Sequence, residues 1–285
     1  MIDELLRRCT FPAPGTSVSC AVSGGPDSMA LMVLAHEHGL HVTAFHVDHQ
    51  LRADSARDLD IISPVAQSLG IEVVVHTLNI GDGPNLEARA RDARYAAMPT
   101  DVMTGHTADD QAETVLINLL RGAGAQGLGA MRPGTSRPIL ALRRSETHAV
   151  CEHAGISVVT DSTNTDPRFL RNRVRHELLE LMANISQRDL VPLLVRSADV
   201  LRDDNDLLDE LATKIDPTDA LALAAAPLPL ARRAIRQWLS NPYPPDLATI
   251  ERVLLVANGH TLACDVGDNF EIRRSKQRLI LQKVG

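Results

Sequence analysis

The sequence has few of the features that mark membrane or secreted proteins. No run approaches the ~18 consecutive apolar residues of a membrane-spanning helix, and the N-terminal MIDELLRRCTFPAPG carries acids and arginines where a signal peptide has an apolar stretch. The four cysteines, Cys9, Cys20, Cys151 and Cys264, are scattered, with no C-x-x-C pair among them. We therefore expect a cytoplasmic protein with no membrane association, no disulfides and no structural zinc.

The chain also lacks the net positive charge of a typical nucleic-acid-binding protein, since its formal charge is −7 at pH 7. Phosphate contacts need clustered lysines and arginines, and the basic residues are concentrated in three segments, 168–175, 232–236 and 273–278. Acidic residues crowd elsewhere, as in 203–210. Two interpretations stay open: a polarised surface that binds nucleic acid, or ordinary solvated faces of helices and strands.

The first half of the chain alternates β-branched apolar runs with helical patterns, which indicates βαβ units on a parallel sheet. We expect Pro64 to kink or split the second helix, Ser145 to cap a short helix, and 156–160 to form a late strand. The predicted fold is α/β, with a doubly wound parallel sheet. Its strands are predicted at 17–23, 41–48, 71–78 and 101–105, and its helices at 27–38, 53–69, 85–98 and 108–121.

After Phe169 the pattern changes to leucine- and arginine-rich helical periods. The stretch 220–229 is interpreted as a helix end or a linker. We predict two domains, 1–188 and 189–285, of which the second is smaller, helical at first and β-rich at its end. After Phe169, helices are predicted at 170–182, 187–213, 230–240 and 247–256, and strands at 261–266, 269–274 and 278–282.

The first predicted strand leads directly into a glycine-containing loop and then a helix. Two adjacent glycines, Gly24 and Gly25, allow backbone N–H groups to approach phosphate oxygens, and the N-terminus of the helix favours negative charge. The loop has no lysine for a Walker A motif and no G-x-G-x-x-G for a dinucleotide. The candidate phosphate-binding residues are Ser23, Gly24, Gly25, Pro26, Asp27 and Ser28.

This S-G-G-x-D-S motif resembles the PP-loop of the N-type ATP pyrophosphatases, whose domain has the adenine nucleotide alpha hydrolase-like fold. The resemblance implies that the loop grips the pyrophosphate of ATP while a substrate oxygen attacks the α-phosphorus, giving an adenylate. It implies that Asp27 holds Mg²⁺ or positions the substrate. The alternative is a tight turn in which Asp27 and Ser28 only cap the helix. Phosphate contacts are implied for Ser23, Gly24, Gly25 and Ser28.

Polar residues also follow the second predicted strand, in the segment HVDHQLR that starts at His46. An α/β sheet offers its ligand crevice at the carboxyl ends of its strands. In the PP-loop class this segment lies beside the adenosine, so the resemblance implies that Asp48 and His49 help to bind the nucleotide. The alternative is a polar exit from a strand.

A third polar cluster opens the fourth predicted helix. Thr107 and Asp110 have the spacing of a capping pair, and Gly122 is placed to end the helix. Asp110 and Glu113 lie three residues apart on one helical face, with His106 just before the helix, so two carboxylates and an imidazole converge. Such a cluster suits a cation, either the ammonium of a bound amine or Mg²⁺.

Together with further motifs in the same order, this cluster resembles the family of lysidine synthetases. The segment 106–114 matches H-x-x-D-D-Q-x-E-T, with Thr107 where the family often has a second histidine. The other matches are R-G-x-G-x-x-G-L at 121–128, R-P-L-L at 137–140, D-x-x-N at 161–164, R-N-x-x-R at 171–175 and, taken with a one-residue shift, E-x-x-A-R-x-x-R-Y at 85–95.

The resemblance implies roles for residues outside the loop. Asp110 and Glu113 would hold lysine, and His106 would lie in the catalytic centre. Arg89 or Arg94 would touch the target nucleotide. Taken singly, the later motifs could instead be Asx turns or arginine-rich helix faces. The remaining implied substrate-binding residues are Asp161, Asn164, Arg171 and Arg175.

The implied reaction has two steps. ATP adenylates the C2 oxygen of the wobble cytidine in the CAU anticodon of tRNA(Ile), and the ε-amine of free L-lysine then displaces AMP, which changes codon reading from AUG to AUA. Mg²⁺ would assist, the C-terminal domain would bind tRNA, and family members are often homodimers. Two alternatives stay open: a PP-loop tRNA thiolase, disfavoured by the absence of C-x-x-C, and an inactive tRNA-binding paralogue, disfavoured by the intact loop.

Overall fold

The computed structural model describes residues 1–48, 56–78, 93, 96–156, 166 and 168–284. The chain divides into two compact units, Met1–Asp199 and Val200–Gly285. The division into domains at 188 and 189 stays a prediction. The predicted helix over 85–98 and strand over 156–160 lie largely outside the described residues.

A parallel sheet forms the centre of the N-terminal unit. Strand β1 (Ser17–Ala21) pairs with β2 (His41–Asp48), which pairs in turn with β3 (Glu72–Thr77). On the other side of β1, Met103 forms a parallel bridge to Cys20. The predicted strand at 101–105 is limited to this bridge, in which the Met103 amide donates to the Ser19 carbonyl at 2.8 Å and the Ala21 amide donates to the Met103 carbonyl at 2.9 Å.

The position of β1 places the ligand crevice. Two strands lie on one side of β1 and the Met103 segment lies on the other, so the chain changes direction across the sheet at β1. In such sheets, ligands bind beyond the carboxyl ends of the strands at this point. The predicted parallel α/β fold is confirmed, and both the glycine-containing loop and the 105–110 segment lie at this edge.

Helices cover the sheet, and α2 (Pro26–Glu37) is the most buried of them. All eight residues from Ser28 to Ala35 are buried, as expected for a helix packed on several sides. The other helices of this unit are α1 (Ile2–Leu6), α3 (Ala56–Ser68), α4 (Ala108–Leu120), α5 (Ala125–Leu128), α6 (Arg144–His153), α7 (Leu170–Arg173), a π-helical turn (Val174–Leu178) and α8 (Leu179–Ser186); α9 (Val191–Ala212) extends across the division between the units.

Two predictions about helices differ from the structure. Pro64 lies inside α3 and does not split it, and Ile62 and Ala66 on either side are fully buried. A kink at Pro64 stays a prediction. Ser145 does not cap α6, which begins at Arg144. The amide of Arg144 donates to the Asp109 carboxylate at 2.8 Å, so a residue distant in sequence supplies the cap.

The C-terminal unit is helical and then β-rich, as predicted. Its three-stranded antiparallel sheet packs on a core that includes Leu223, Ile235, Ile250 and Ile272. The segment 220–229, left open above, begins with a short helix. Among the described residues, no helix is long and apolar enough to cross a membrane. The elements are α10 (Ala220–Ala225), α11 (Leu228–Trp238), α12 (Leu247–Ala257), β4 (Ala263–Gly267), β5 (Phe270–Ser275) and β6 (Arg278–Lys283).

Candidate active site

The glycine-containing loop is held in place by its two serines. The hydroxyl of Ser28 accepts the Ser23 amide at 3.0 Å and donates to the Gly25 carbonyl at 2.9 Å. Gly24 has φ +77°, a conformation that L side chains rarely adopt. Helix α2 follows at once, with Pro26 in its first turn. The loop thus has the backbone geometry and helix N-terminus of an anion-binding site.

A second segment approaches this loop very closely. A Cβ atom on Gly105 would lie 2.7 Å from the Asp27 carbonyl oxygen and 2.8 Å from its carbonyl carbon. Glycine is therefore required at 105 for space, since any side chain would collide with the backbone of Asp27. This contact brings the start of α4 beside the phosphate loop.

Asp27 is held by helix α6. The Thr147 hydroxyl donates to Oδ1 of Asp27 at 2.5 Å, and Nε of Arg144 lies 3.6 Å from Oδ2. Burial raises the pKa of the Asp27 carboxyl, the Thr147 hydrogen bond opposes this, and the negative charge of Asp110 adds to the rise. About a quarter of the Asp27 side chain, 24%, stays exposed, so the carboxylate can still meet a ligand.

The predicted capping pair at α4 is confirmed. Both the amide and the hydroxyl of Thr107 donate to Oδ2 of Asp110, at 2.8 and 2.9 Å. The helix ends at Leu120, and Gly122 follows with φ +74°. Burial would raise the pKa of Asp110, but the charges of Arg171 and Arg144 and the Thr107 bond outweigh it, so the pKa is lowered.

Asp110 and Glu113 lie together, as predicted, and arginines neutralise them. Nη2 of Arg144 donates to Oδ1 of Asp110 at 3.0 Å and to Oε1 of Glu113 at 3.2 Å. Nε of Arg171 donates to Oε2 of Glu113 at 2.7 Å, and Nε of Arg175 donates to Oε1 at 2.6 Å. Three guanidinium groups thus surround these two carboxylates, and Arg144 also lies 3.6 Å from Asp27, so three arginines face three carboxylates.

His106 is oriented through its Nδ1 atom. The Thr104 hydroxyl lies 2.8 Å from Nδ1 and donates to the Ser136 carbonyl at 3.1 Å. Because a hydroxyl has one proton and a carbonyl can only accept, this arrangement favours Nδ1–H of His106 as donor to Thr104. Proton exchange by His106 would then take place at Nε2.

The remaining predicted residues are not all within the described structure. Asp48 ends β2 at the crevice edge, and its carbonyl accepts the Leu78 amide at 2.8 Å. Read directly off the sequence, E-x-x-A-R-x-x-R-Y fits from Glu87 to Tyr95 without a shift, which puts Arg91 in place of Arg89. The predicted site residues that lie outside the described residues are His49, Arg89, Arg94, Asp161 and Asn164.

Sequence reasoning missed three residues that complete this arrangement. Gly105 is the last residue of the predicted strand 101–105, and Arg144 and Thr147 lie beyond the R-P-L-L match, in a segment without a family motif. A glycine at the end of a predicted strand is the signal that could have identified Gly105. No local signal marks the other two, because their partners are more than 30 residues away in sequence.

Comparison with known proteins agrees with the geometry of the loop. A family model described as a PP-loop domain matches residues 2–182. The U34-tRNA thiolase NcsA from Methanococcus maripaludis, solved with its [4Fe-4S] cluster, has a TM-score of 0.56 at 15% identity and covers 70% of this chain and 80% of that chain. At that identity the likeness concerns the fold alone. The fold, the loop and the family model together define a protein of the PP-loop class.

Sequence relatives narrow the class further. A tRNA(Ile)-lysidine synthase from Mycolicibacterium paratuberculosis is 42% identical over 234 residues, which cover 77% of this chain and 73% of the relative. Another from Rhodococcus erythropolis is 40% identical over 242 residues, covering 79% of this chain and 74% of the relative. The chain therefore belongs to the tRNA(Ile)-lysidine synthase family.

Proposed function

We propose that this protein uses ATP to ligate free L-lysine to C2 of the wobble cytidine in the CAU anticodon of tRNA(Ile). The products are lysidine, AMP and pyrophosphate, and the modified anticodon reads AUA in place of AUG. The observation that carries the proposal is that Arg144 contacts both Asp27 of the PP-loop and the Asp110–Glu113 pair. In this proposal a phosphate site and an amine site would lie next to each other, as a two-step ligation requires.

In the first step the cytidine O2 would attack the α-phosphorus of ATP and pyrophosphate would leave. The loop amides and the N-terminus of α2 would bind the phosphate oxygens, and the serine hydroxyls would keep the loop in shape. Asp27 would hold Mg²⁺, which when bound offsets charge on the phosphates. The partly exposed carboxylate of Asp27 fits this role, because oxygen ligands are those that magnesium prefers.

In the second step the lysine ε-amine would attack C2 and AMP would leave. Asp110 and Glu113 would bind the amine groups of lysine. These amines would compete with the guanidinium groups that already donate to the carboxylate oxygens. The lowered pKa of Asp110 makes it a better ligand for an ammonium than an acceptor of its proton.

The cysteines speak against the thiolase alternative. Sulfur transfer needs a thiolate, yet burial raises the pKa of Cys20 to about 12 and that of Cys151 to about 11. The pKa of Cys9 is raised to about 12 by burial as well. Within the described part of the chain, no group of cysteine, histidine and acidic residues is arranged to hold a metal ion.

Contacts to tRNA, to the nucleotide and to a second copy of the chain are also proposed. The C-terminal region 189–285 would bind tRNA, Asp48 and His49 would contact the nucleotide, and Arg91 or Arg94 would touch the target base. The protein would work in the cytoplasm, and two copies would form a homodimer. Further contacts to tRNA or lysine are proposed for Asp161, Asn164, Arg171 and Arg175.

The test is incorporation of labelled lysine into a CAU-anticodon tRNA(Ile) with ATP and Mg²⁺, with methionine tRNA as the control. Label on tRNA(Ile) alone is the expected result. ATP cleavage without label would overturn lysine as the nucleophile while keeping PP-loop chemistry. tRNA binding with no ATP cleavage would show an inactive paralogue.

A further inference from the structure

Helix α6 contains none of the motifs that identified the site, yet it contacts Asp27 at two points. Arg144 and Thr147 lie three residues apart and therefore on one face of the helix. Both face the carboxylate that follows the phosphate loop. Helix α6 thus packs directly against the N-terminal end of α2.

The contact made by Thr147 is buried and polar. Thr147 is 0% exposed, and its hydroxyl lies 2.5 Å from Oδ1 of Asp27 and 2.8 Å from the carbonyl of Arg144. Hydrogen bonds to a charged acceptor are stronger than those to a neutral one, so the Asp27 bond is the more favourable of the two. Valine has nearly the same shape as threonine and would keep the packing while removing this donor.

The two oxygens of Asp27 are consequently in different environments. Oδ1 is taken by Thr147, whereas Oδ2 lies 3.6 Å from Nε of Arg144, beyond hydrogen-bonding distance. Among the residues that the structure describes, none donates a hydrogen bond to Oδ2. A carboxylate fixed at one oxygen has lost most of its rotational freedom and presents the other oxygen in one place.

We propose that Thr147 is a positioning residue that fixes Oδ1 of Asp27 and so presents Oδ2 to the magnesium ion of Mg·ATP. This inference rests on the proposed role of Asp27 in the ligase reaction. Thr147 touches neither nucleotide nor metal itself. Its effect is to reduce the number of Asp27 orientations that the metal–nucleotide complex must select from on binding.

The experiment compares Thr147→Val, Thr147→Ser and the unchanged protein for binding of Mn²⁺ with ATP, followed by the electron paramagnetic resonance signal of free Mn²⁺. Removing a hydrogen bond to a charged group should weaken Mn·ATP binding roughly tenfold in the valine variant. Serine keeps the hydroxyl and should restore most of the affinity. ATP binding without metal should be the same in all three proteins.

Thr16→Val is the matched control, because the Thr16 hydroxyl also donates to a carbonyl three residues earlier, at 2.6 Å, but contacts no carboxylate. It should bind Mn·ATP normally. If Thr147→Val does not fold, as judged by circular dichroism, Thr147→Ala is compared with Thr147→Ser, because these two variants lack the same methyl group and differ only in the hydroxyl.

Two outcomes overturn the proposal: unchanged Mn·ATP affinity in the valine or alanine variant, or a serine variant as weak as valine. The second outcome would mean that Thr147 acts through packing. Binding of Mn·ATP needs neither tRNA nor lysine, so the measurement is separate from the ligase assay. An unchanged protein that binds Mn·ATP but ligates no lysine refutes the proposed function and leaves the assignment of Thr147 standing.

Discussion

Arginines are used differently in the two units of this protein. In the crevice of the N-terminal unit, three arginines contact Glu113, whose side chain is 0% exposed. In the C-terminal unit, Arg278 pairs with Asp216, and these side chains are 58% and 48% exposed. A buried carboxylate that lost its partners would be an uncompensated charge, whereas water solvates the exposed one. Loss of an arginine–carboxylate pair therefore costs much more folding free energy in the crevice than on the exposed surface.

The difference bears on function as well as on stability. The crevice arginines already form ion pairs with carboxylates, so a ligand that binds there must displace or join these pairs. Arg273 and Arg278 of the C-terminal unit have side chains more than half exposed, and a phosphate can displace their partners at little cost. A count of charges along the sequence does not distinguish these two situations.

The largest effect is expected at Asp27, where the crevice meets the phosphate loop. Asp27→Ala should lower AMP release by a factor on the order of 100 or more, since it removes a group proposed to act on the transferring phosphate. The fold should persist, because the side chain is partly exposed. AMP release is measured by chromatography, and near-normal turnover would remove Asp27 from the mechanism.

A matched pair of glutamates compares buried with exposed ion pairs. Glu113→Gln leaves Arg171 and Arg175 to share Asp110, at 3.0 and 3.7 Å, in place of two carboxylates, and should cost about 3 kcal/mol of unfolding free energy, measured by denaturant titration. It should raise the apparent KM for lysine roughly tenfold, and that for ATP much less. Glu177→Gln breaks the exposed pair with Arg173 and should change neither quantity. Equal effects in the two variants would contradict the comparison.

A pair of glycines tests the close approach of the two segments. Gly105→Ala would place a methyl group 2.7 Å from the Asp27 carbonyl, so we expect a loss of about 1–3 kcal/mol in stability and weaker ATP binding. Gly124→Ala meets nothing within 4 Å and serves as the control. Thermal denaturation and ATP binding are measured on both. Normal ATP binding by Gly105→Ala would show that the loop does not depend on this contact.

The smallest effect is expected in the C-terminal unit. Arg273→Gln and Arg278→Gln should leave the melting temperature unchanged, because both side chains are more than half exposed. If the region binds tRNA, each should weaken binding and lower the slope of log affinity against log salt by about 1. Lys214→Gln is the comparison, because Lys214 follows the end of α9 and makes an exposed pair with Glu210. Unchanged slopes for both arginine variants would place the tRNA site elsewhere.

The sequence predicted most elements because their signals are local. Strand β2 was predicted at the same bounds, 41–48, and α4 within one residue, since each is set by side-chain periodicity and a turn residue. Other elements differ from their prediction. Ser145 was predicted to cap α6, but the Asp109 carboxylate accepts the first amide of that helix; α3 continues through Pro64, and the strand at 101–105 is reduced to one bridge.

The sequence by itself determined the class of the protein, the phosphate loop and the face that joins Asp110 to Glu113. These depend on residues only a few positions apart, whose spacing a helix or a turn fixes. Only the tertiary structure decided what those carboxylates contact. Arg171 reaches Glu113 across 58 residues of sequence, and Thr147 reaches Asp27 across 120. Such contacts depend on the path of the whole chain around the sheet, because packing and not local spacing brings the helices that carry them together.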